Sequence, residues 1–108
     1  MTNPPQDRRA NTRVQVRSQV WLGRDGVFTH GVQRLTNLSV AGAFIETPNG
    51  AAVNSVLNMR FSLGADLITS TVIVRYLLPI GIGVEFLDLS PDDRDRIAAF
   101  VAREQLPA

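Results

Sequence analysis

The sequence predicts an all-β domain, namely a six-stranded antiparallel barrel or strongly curled sheet that is followed by one C-terminal α-helix. Short segments of alternating apolar and polar residues recur between residues 14 and 87, and turn-forming residues separate them. The one strong helix signal comes after them, at Ser90. Closure of the strands into a barrel would remove exposed sheet edges. The length of 108 residues suits a single domain with one core.

The first half of the chain predicts three strands. The first begins near Arg13, and its apolar positions share the parity of a half-buried strand: Val14, Val16, Val20 and Leu22. Residues 23–26 (Gly-Arg-Asp-Gly) predict a hairpin turn, and a second strand should run from Val27 to about Thr36. Asn, Ser and Gly within residues 37–42 predict a tight bend in which glycine tolerates φ > 0. A short third strand should cover residues 43–47.

Three more strands are predicted in the second half. Apolar and polar residues alternate from Leu57 to Leu63, which is the clearest strand pattern in the chain, and residues 64–66 (Gly-Ala-Asp) end it. A run rich in β-branched residues predicts a long strand from Leu67 to Leu78. After Pro79, the segment 81–87 predicts the sixth strand.

A helix is predicted after Ser90. Serine suits the N-cap, Pro91 suits the first helical position, and the acidic residues Asp92, Asp93 and Asp95 suit the positive end of the helix dipole. These carboxylates are therefore interpreted as capping residues, not as a catalytic cluster. The helix should end near Pro107, and its apolar stripe should consist of Ile97, Phe100 and Val101.

The ends of the chain set the expected domain limits. Residues 1–12 are polar and rich in proline, so we expect a flexible N-terminal segment, with the barrel and helix in residues 13–106. No signal-peptide pattern is present at the N-terminus, and the longest apolar run, residues 76–84, is too short to span a bilayer. The sequence thus predicts a soluble, cytoplasmic protein without a membrane partner.

The composition excludes several kinds of site. Without cysteine there can be no disulfide or thiolate ligand, and a single histidine cannot form an imidazole metal cluster, so no metal site is predicted. The net charge of +1 does not suggest a polyanion as partner. All eleven basic residues are arginines. A G- and C-rich genome produces the same bias, so only the positions of the arginines can support a functional argument.

An enzymatic function is not supported by the sequence. The single histidine, His30, lies in a predicted strand, and no carboxylate is spaced to orient it as a catalytic base. The glycines of Gly81-Ile82-Gly83 also fall within a strand pattern and do not open a helix, as a phosphate-binding loop would. Close backbone packing explains these glycines better. The sequence therefore predicts a binding protein with no catalytic residue and no cofactor.

Two polar motifs are the candidate binding residues. Arg8, Arg9 and Arg13 lie where the N-terminal segment meets the first strand, and guanidinium groups bind phosphates and guanine edges in bidentate fashion. A solvated basic tail is the structural alternative. The second motif comprises an amide, a hydroxyl and a glycine in one turn, suited to a polar base edge: Asn37, Ser39 and Gly42. Its structural alternative is a β-turn capped by its own side chains.

Together the motifs R-x-x-x-R (residues 9–13) and N-x-S-x-x-G (residues 37–42) resemble those of the PilZ domain family. The resemblance continues through the segments 41–47, 74–75 and 81–86 and the final helix, and it covers residues 8–104. It implies a PilZ-like split barrel of six antiparallel strands with a C-terminal helix. It also implies a bacterial receptor for the second messenger cyclic di-GMP, with a role in motility or biofilm regulation.

The resemblance assigns roles to the motif residues. Arg9 and Arg13 would hold the phosphates and guanine faces of cyclic di-GMP, and Asn37 and Ser39 would bind a guanine edge. Gly42 would let the turn approach the ligand closely. Arg8 occupies a position that, in the family, bears on whether one messenger or a stacked pair is bound, and an arginine there favours the pair. In this interpretation, the N-terminal segment becomes ordered around the ligand and the complex signals to a protein partner.

Two other functions are weighed against this one. Some PilZ-like domains act only through protein contacts, which makes a nucleotide-independent interaction module the main alternative. A barrel that binds single-stranded nucleic acid would need aromatic platforms and an extended basic groove. Because aromatic residues make up 6% of the chain and the charge is balanced, nucleic acid is not the expected partner. The sequence leaves open whether the protein is a monomer or a dimer.

Overall fold

The computed structural model describes residues 12–25, 27–28, 33–48 and 51–105. Within these ranges the chain forms seven antiparallel strands and one α-helix. The strands are β1 (Val14–Arg24), β2 (Val27–Phe28), β3 (Arg34–Leu38), β4 (Gly42–Glu46), β5 (Val56–Leu63), β6 (Asp66–Leu78) and β7 (Gly81–Phe86), and the helix is α1 (Pro91–Gln105).

Six of these strands form a closed barrel. They are hydrogen-bonded in the order β1-β3-β4-β7-β6-β5, and β5 pairs again with β1, which closes the sheet. The remaining strand, β2, only extends the hairpin that leaves the end of β1. The predicted fold, a six-stranded antiparallel barrel with a C-terminal helix, is thus confirmed.

The predicted second strand, Val27 to about Thr36, is wrong as a single element. The structure has two strands there, because β2 pairs with the end of β1 whereas β3 pairs with its beginning. A hairpin in continuous register would place residue 32 opposite Gln19, but Arg34 is found there. Two additional residues therefore separate the two strands, and His30 lies between them, outside the described residues.

The core is built from the alternating positions that the sequence indicated. The inward side chains of β1 are buried, and so are those of β5: Leu57, Met59, Phe61 and Leu63. Ile97 and Val101 of α1 belong to the same hydrophobic cluster, so the helix packs on the barrel. Burial of each large side chain contributes about 1.5–3 kcal/mol, and the apolar interior is the main source of stability.

The start of α1 has the predicted cap. The Ser90 hydroxyl oxygen accepts a hydrogen bond from the backbone N–H of Asp93 at 3.1 Å, as an N-cap serine does. The Asp93 carboxylate in turn accepts a 2.6 Å bond from Arg96. These contacts confirm the interpretation of this acidic segment as a helix start.

The segment before α1 is fastened to the barrel by Asp88. One oxygen of its carboxylate accepts hydrogen bonds from the backbone N–H of Thr71, at 2.6 Å, and from the hydroxyl of Ser70, at 3.0 Å. The Thr71 N–H is the largest factor that lowers the pKa of Asp88 below its ordinary value. This contact fixes the direction in which the chain enters the helix.

Candidate functional site

An open groove of about 920 Å³ crosses the outer surface of the barrel. Residues of β1, β3 and β4 line it, together with the end of β6 and one side of α1. Arg13 and Asn37, one residue from each predicted motif, both lie in this groove. The fold therefore brings together two motifs that are separated in the sequence.

The floor of the groove is a row of residues directly opposite one another on adjacent strands. Gln15 pairs with Asn37, Asn37 with Phe44, Phe44 with Gly83, and Gly83 with Tyr76. A side chain at position 83 would overlap the ring of Tyr76, so the aromatic ring lies directly on the backbone of β7. The rings of Phe44 and Tyr76 stack with their centres 6.2 Å apart. Phe44 is buried, whereas Tyr76 is 38% exposed and offers its ring to a planar base in the groove.

Three arginines give the groove its positive charge. Arg13, Arg17 and Arg34 are exposed in it, and none forms an ion pair with another described residue. Two carboxylates, Glu46 and Glu104, also line it. The groove therefore contains three guanidinium groups without ion pairs to described residues, together with the exposed ring of Tyr76.

Arg17 and Arg34 were missed as site residues by the sequence reasoning. The signal for Arg17 was present, because it has the outward parity of Arg13 and Gln15 on the same strand. No comparable signal existed for Arg34, whose place in the groove depends on the pairing of β3 with β1 and β4.

Asn37 has an unused hydrogen-bond acceptor. Its side chain is half-buried in β3, and its Oδ1 atom is buried without a hydrogen-bond partner among the described residues. A buried acceptor without a donor costs about 1–3 kcal/mol. This amide is therefore poised to accept a hydrogen bond from a group that enters the groove.

Ser39 stabilises its own turn. Its hydroxyl oxygen accepts hydrogen bonds from the backbone N–H groups of Ala41, at 3.1 Å, and Gly42, at 3.2 Å. The same hydroxyl donates to the carbonyl of Gly42 at 3.4 Å, and the side chain is buried. This geometry supports a structural role for Ser39, in which it shapes the turn that follows Asn37.

The expectation that glycine in this bend serves a positive φ is wrong for Gly42. Among the described glycines only Gly64 has a φ in the left-handed region. Gly42 is instead the first residue of β4, where a Cβ atom would overlap the backbone carbonyl of Val84 on β7. Glycine is needed at position 42 because two strands approach each other closely.

Two of the three N-terminal candidate arginines lie outside the part of the chain that the structure describes. These two are Arg8 and Arg9, so their assignment stays a prediction.

Within the described ranges, no group of three His, Cys, Asp or Glu side chains could hold a metal ion. Also within those ranges, no helix has the length and apolar character needed to cross a membrane.

The fold and the groove define a small β-barrel module with an arginine-lined surface groove. Residues 7–103 match the sequence profile of the PilZ domain, so the chain belongs to the PilZ family. PilZ domains are receptor and adaptor modules. A search of curated proteins finds no match.

Two solved structures have a similar fold. One is the inhibitor of motility of Bacillus subtilis (MotI/DgrA), with a TM-score of 0.73 and 15% identity; the match covers 88% of this chain and 50% of that chain. The other is an uncharacterised Legionella protein, with a TM-score of 0.55, 13% identity and coverage of 85% and 91%. The present chain thus spans about half the length of the Bacillus protein. At these identities the similarity concerns the fold alone.

Proposed function

We propose that this protein binds cyclic di-GMP in the groove and passes the signal to a protein partner. The observation that carries the proposal is the convergence of Arg13 and Asn37, from the two PilZ motifs, on one groove. Arginine supplies the charge and donors for a phosphate or for the acceptor edge of guanine. Guanine also carries N–H donors, which could satisfy the free Oδ1 of Asn37.

The remaining motif residues have distinct roles in this proposal. Arg8 and Arg9 would join Arg13 in holding the ligand, with Arg8 favouring a stacked pair of messengers. Ser39 and Gly42 would hold the strands that carry the site in place, because the Ser39 hydroxyl shapes the turn and Gly42 lets β4 lie close to β7. A direct bond from Ser39 to the ligand remains part of the proposal and would require its hydroxyl to leave the turn.

Calorimetric titration with cyclic di-GMP tests the binding site. A charge-assisted hydrogen bond contributes about 1.5–3 kcal/mol, so Arg13→Ala should weaken binding roughly ten-fold to hundred-fold. Arg24→Ala is the matched control, since Arg24 is an exposed arginine on β1 that does not line the groove. GTP should bind poorly to the wild type. Equal affinities of the wild type and Arg13→Ala would contradict the proposed site.

Ordering of the N-terminal segment is the proposed step between binding and signalling. Hydrogen exchange of backbone amides in residues 1–12 should slow when cyclic di-GMP is added, because the ligand would tie the segment to the groove. If the exchange rates of these amides stay unchanged at saturating cyclic di-GMP, the ligand binds without ordering the N-terminal segment, and this step is removed from the mechanism.

A nucleotide-independent interaction module is the second candidate. It is favoured by the exposed apolar side chains at the β6–β7 turn, where Leu77, Leu78 and Ile80 are 47%, 51% and 61% exposed. Absence of binding in the cyclic di-GMP titration, with retained affinity for a defined protein partner, would favour this candidate over the receptor.

A further inference from the structure

The groove contains more arginine than the two PilZ motifs account for. Arg17 and Arg34 line it together with Arg13, but neither belongs to R-x-x-x-R at residues 9–13 or to the turn at residues 37–42. Both side chains are exposed and lack an ion-pair partner among the described residues. Their position in the groove is therefore not explained by a structural contact.

The pairing of the strands directs both side chains to the groove. Register shifts between Gln15 and Ser18, so Val16 and Arg17 of β1 together stand opposite Thr36 of β3. The bulge bends β1 locally, and Arg17 keeps the exposed side of the strand on which Gln15 also lies. Arg34 lies opposite Gln19 on β1 and Glu46 on β4.

Several other arginines in the described chain are engaged by side chains of the protein. Arg75 lies 2.6 Å from a carboxylate oxygen of Glu85, and Arg96 lies 2.6 Å from one of Asp93. Arg60 stacks over the ring of Phe28 at 4.5 Å. Arg24, by contrast, has no described partner but is away from the groove, so it provides a comparison for an exposed arginine.

Three unneutralised guanidinium groups in one groove favour a ligand with more than one negative charge. Each repels the others, and an anion with charge at more than one point relieves this repulsion along the groove. A cyclic dinucleotide carries two phosphates on opposite sides of its ring, so it can meet separate cationic contacts. The carboxylate of Glu46, opposite Arg34 on β4, repels anions and so limits how close to β4 a phosphate would lie.

We propose that Arg17 and Arg34 form a second phosphate contact, separate from that of Arg13, and that the two contacts hold the two phosphates of a cyclic dinucleotide. This inference rests on the proposed function, because it takes the ligand to be cyclic di-GMP. It assigns β1 and β3 a direct part in affinity, in addition to the N-terminal segment.

The test compares Arg17→Gln and Arg34→Gln with Arg24→Gln in titrations with cyclic di-GMP at two salt concentrations. Each groove variant should bind roughly five-fold to fifty-fold more weakly than the wild type, and its affinity should depend less on salt. Arg24→Gln should stay within about two-fold of the wild type. Thermal unfolding of each variant verifies that the barrel is intact. Groove variants that bind as well as Arg24→Gln would overturn the inference.

Cyclic di-AMP separates failure of this inference from failure of the proposed function. It has the same two phosphates as cyclic di-GMP but different bases. If the wild type binds cyclic di-GMP and the variants Arg17→Gln and Arg34→Gln bind it with equal affinity, only the second phosphate contact is overturned. Binding of cyclic di-AMP alone, with sensitivity to both variants, supports the contact and rejects guanine as the base. Absence of binding to either dinucleotide overturns both proposals.

Discussion

Arg13, Arg17 and Arg34 line the groove without forming an ion pair to a described residue, whereas Arg75 and Arg96 each lie 2.6 Å from a carboxylate oxygen. The net charge of +1 does not reveal this difference. Ion pairs at the surface neutralise cations locally, while unpaired cations in a concave surface attract anions. The distribution of the arginines therefore indicates more about the ligand than their number does.

The largest effect on stability should come from a substitution that forces β4 and β7 apart. Gly42→Ala places a Cβ atom on the carbonyl of Val84, so β4 and β7 must move apart. We expect a loss of roughly 3 kcal/mol or more in the free energy of unfolding, measured with urea. Gly64→Ala, away from the groove, is the matched control, because position 64 has open space and its φ is +64°. It should cost only about 1–2 kcal/mol. Equal losses would contradict the assigned roles of the two glycines.

A smaller effect is expected where Asp88 fastens the segment before α1. Asp88→Asn removes the negative charge of the carboxylate that accepts hydrogen bonds from Thr71 and Ser70. Because hydrogen bonds to a neutral amide oxygen are weaker, the free energy of unfolding should fall by about 1 kcal/mol. Asp25→Asn serves as control, because Asp25 is an exposed turn residue and asparagine also adopts its positive φ. A loss as large in the control would argue against the Asp88 contact.

The same contact predicts a pH dependence. Because hydrogen bonds lower the pKa of Asp88 in the folded protein, its stabilising effect is complete above the ordinary value of 3.8 and is lost as pH falls through the lower folded value. Thermal unfolding of the wild type and Asp88→Asn should therefore differ most near neutral pH and converge in acid. A difference that grows on acidification would contradict the sign of the shift.

The smallest effect is expected for a neutralised arginine. Arg75→Gln breaks an exposed ion pair with Glu85 and should change the free energy of unfolding by no more than about 0.5 kcal/mol. It should also leave the affinity for cyclic di-GMP unchanged, in contrast to Arg13→Ala. If Arg75→Gln weakened binding as strongly as Arg13→Ala, paired and unpaired arginines would not differ in function.

The sequence predicted what local patterns encode. Alternation identified the strands and buried faces of β1 and β5, and the Ser90-Pro91 start identified α1. These features depend on neighbouring residues, so they can be read without knowledge of the fold.

Features that depend on strand pairing were not predictable in the same way. The separation of β2 from β3 follows from a register with β1 that no local signal specifies. The contribution of Arg34 and the stacking of Tyr76 on Gly83 likewise require knowledge of which strands are neighbours. The reason for Gly42 was missed because steric contact with another strand and a need for positive φ produce the same residue in the sequence.

The central claim is that cyclic di-GMP binds on the groove side of the barrel and not elsewhere. An NMR titration of the ¹⁵N-labelled wild-type protein tests it directly. The largest amide shift changes should occur at Gln15, Asn37 and Phe44, whereas those of Asn58 on β5 and Thr69 on β6 should be small. Changes centred on β5 and the first half of β6, or no changes at saturating ligand, would contradict it.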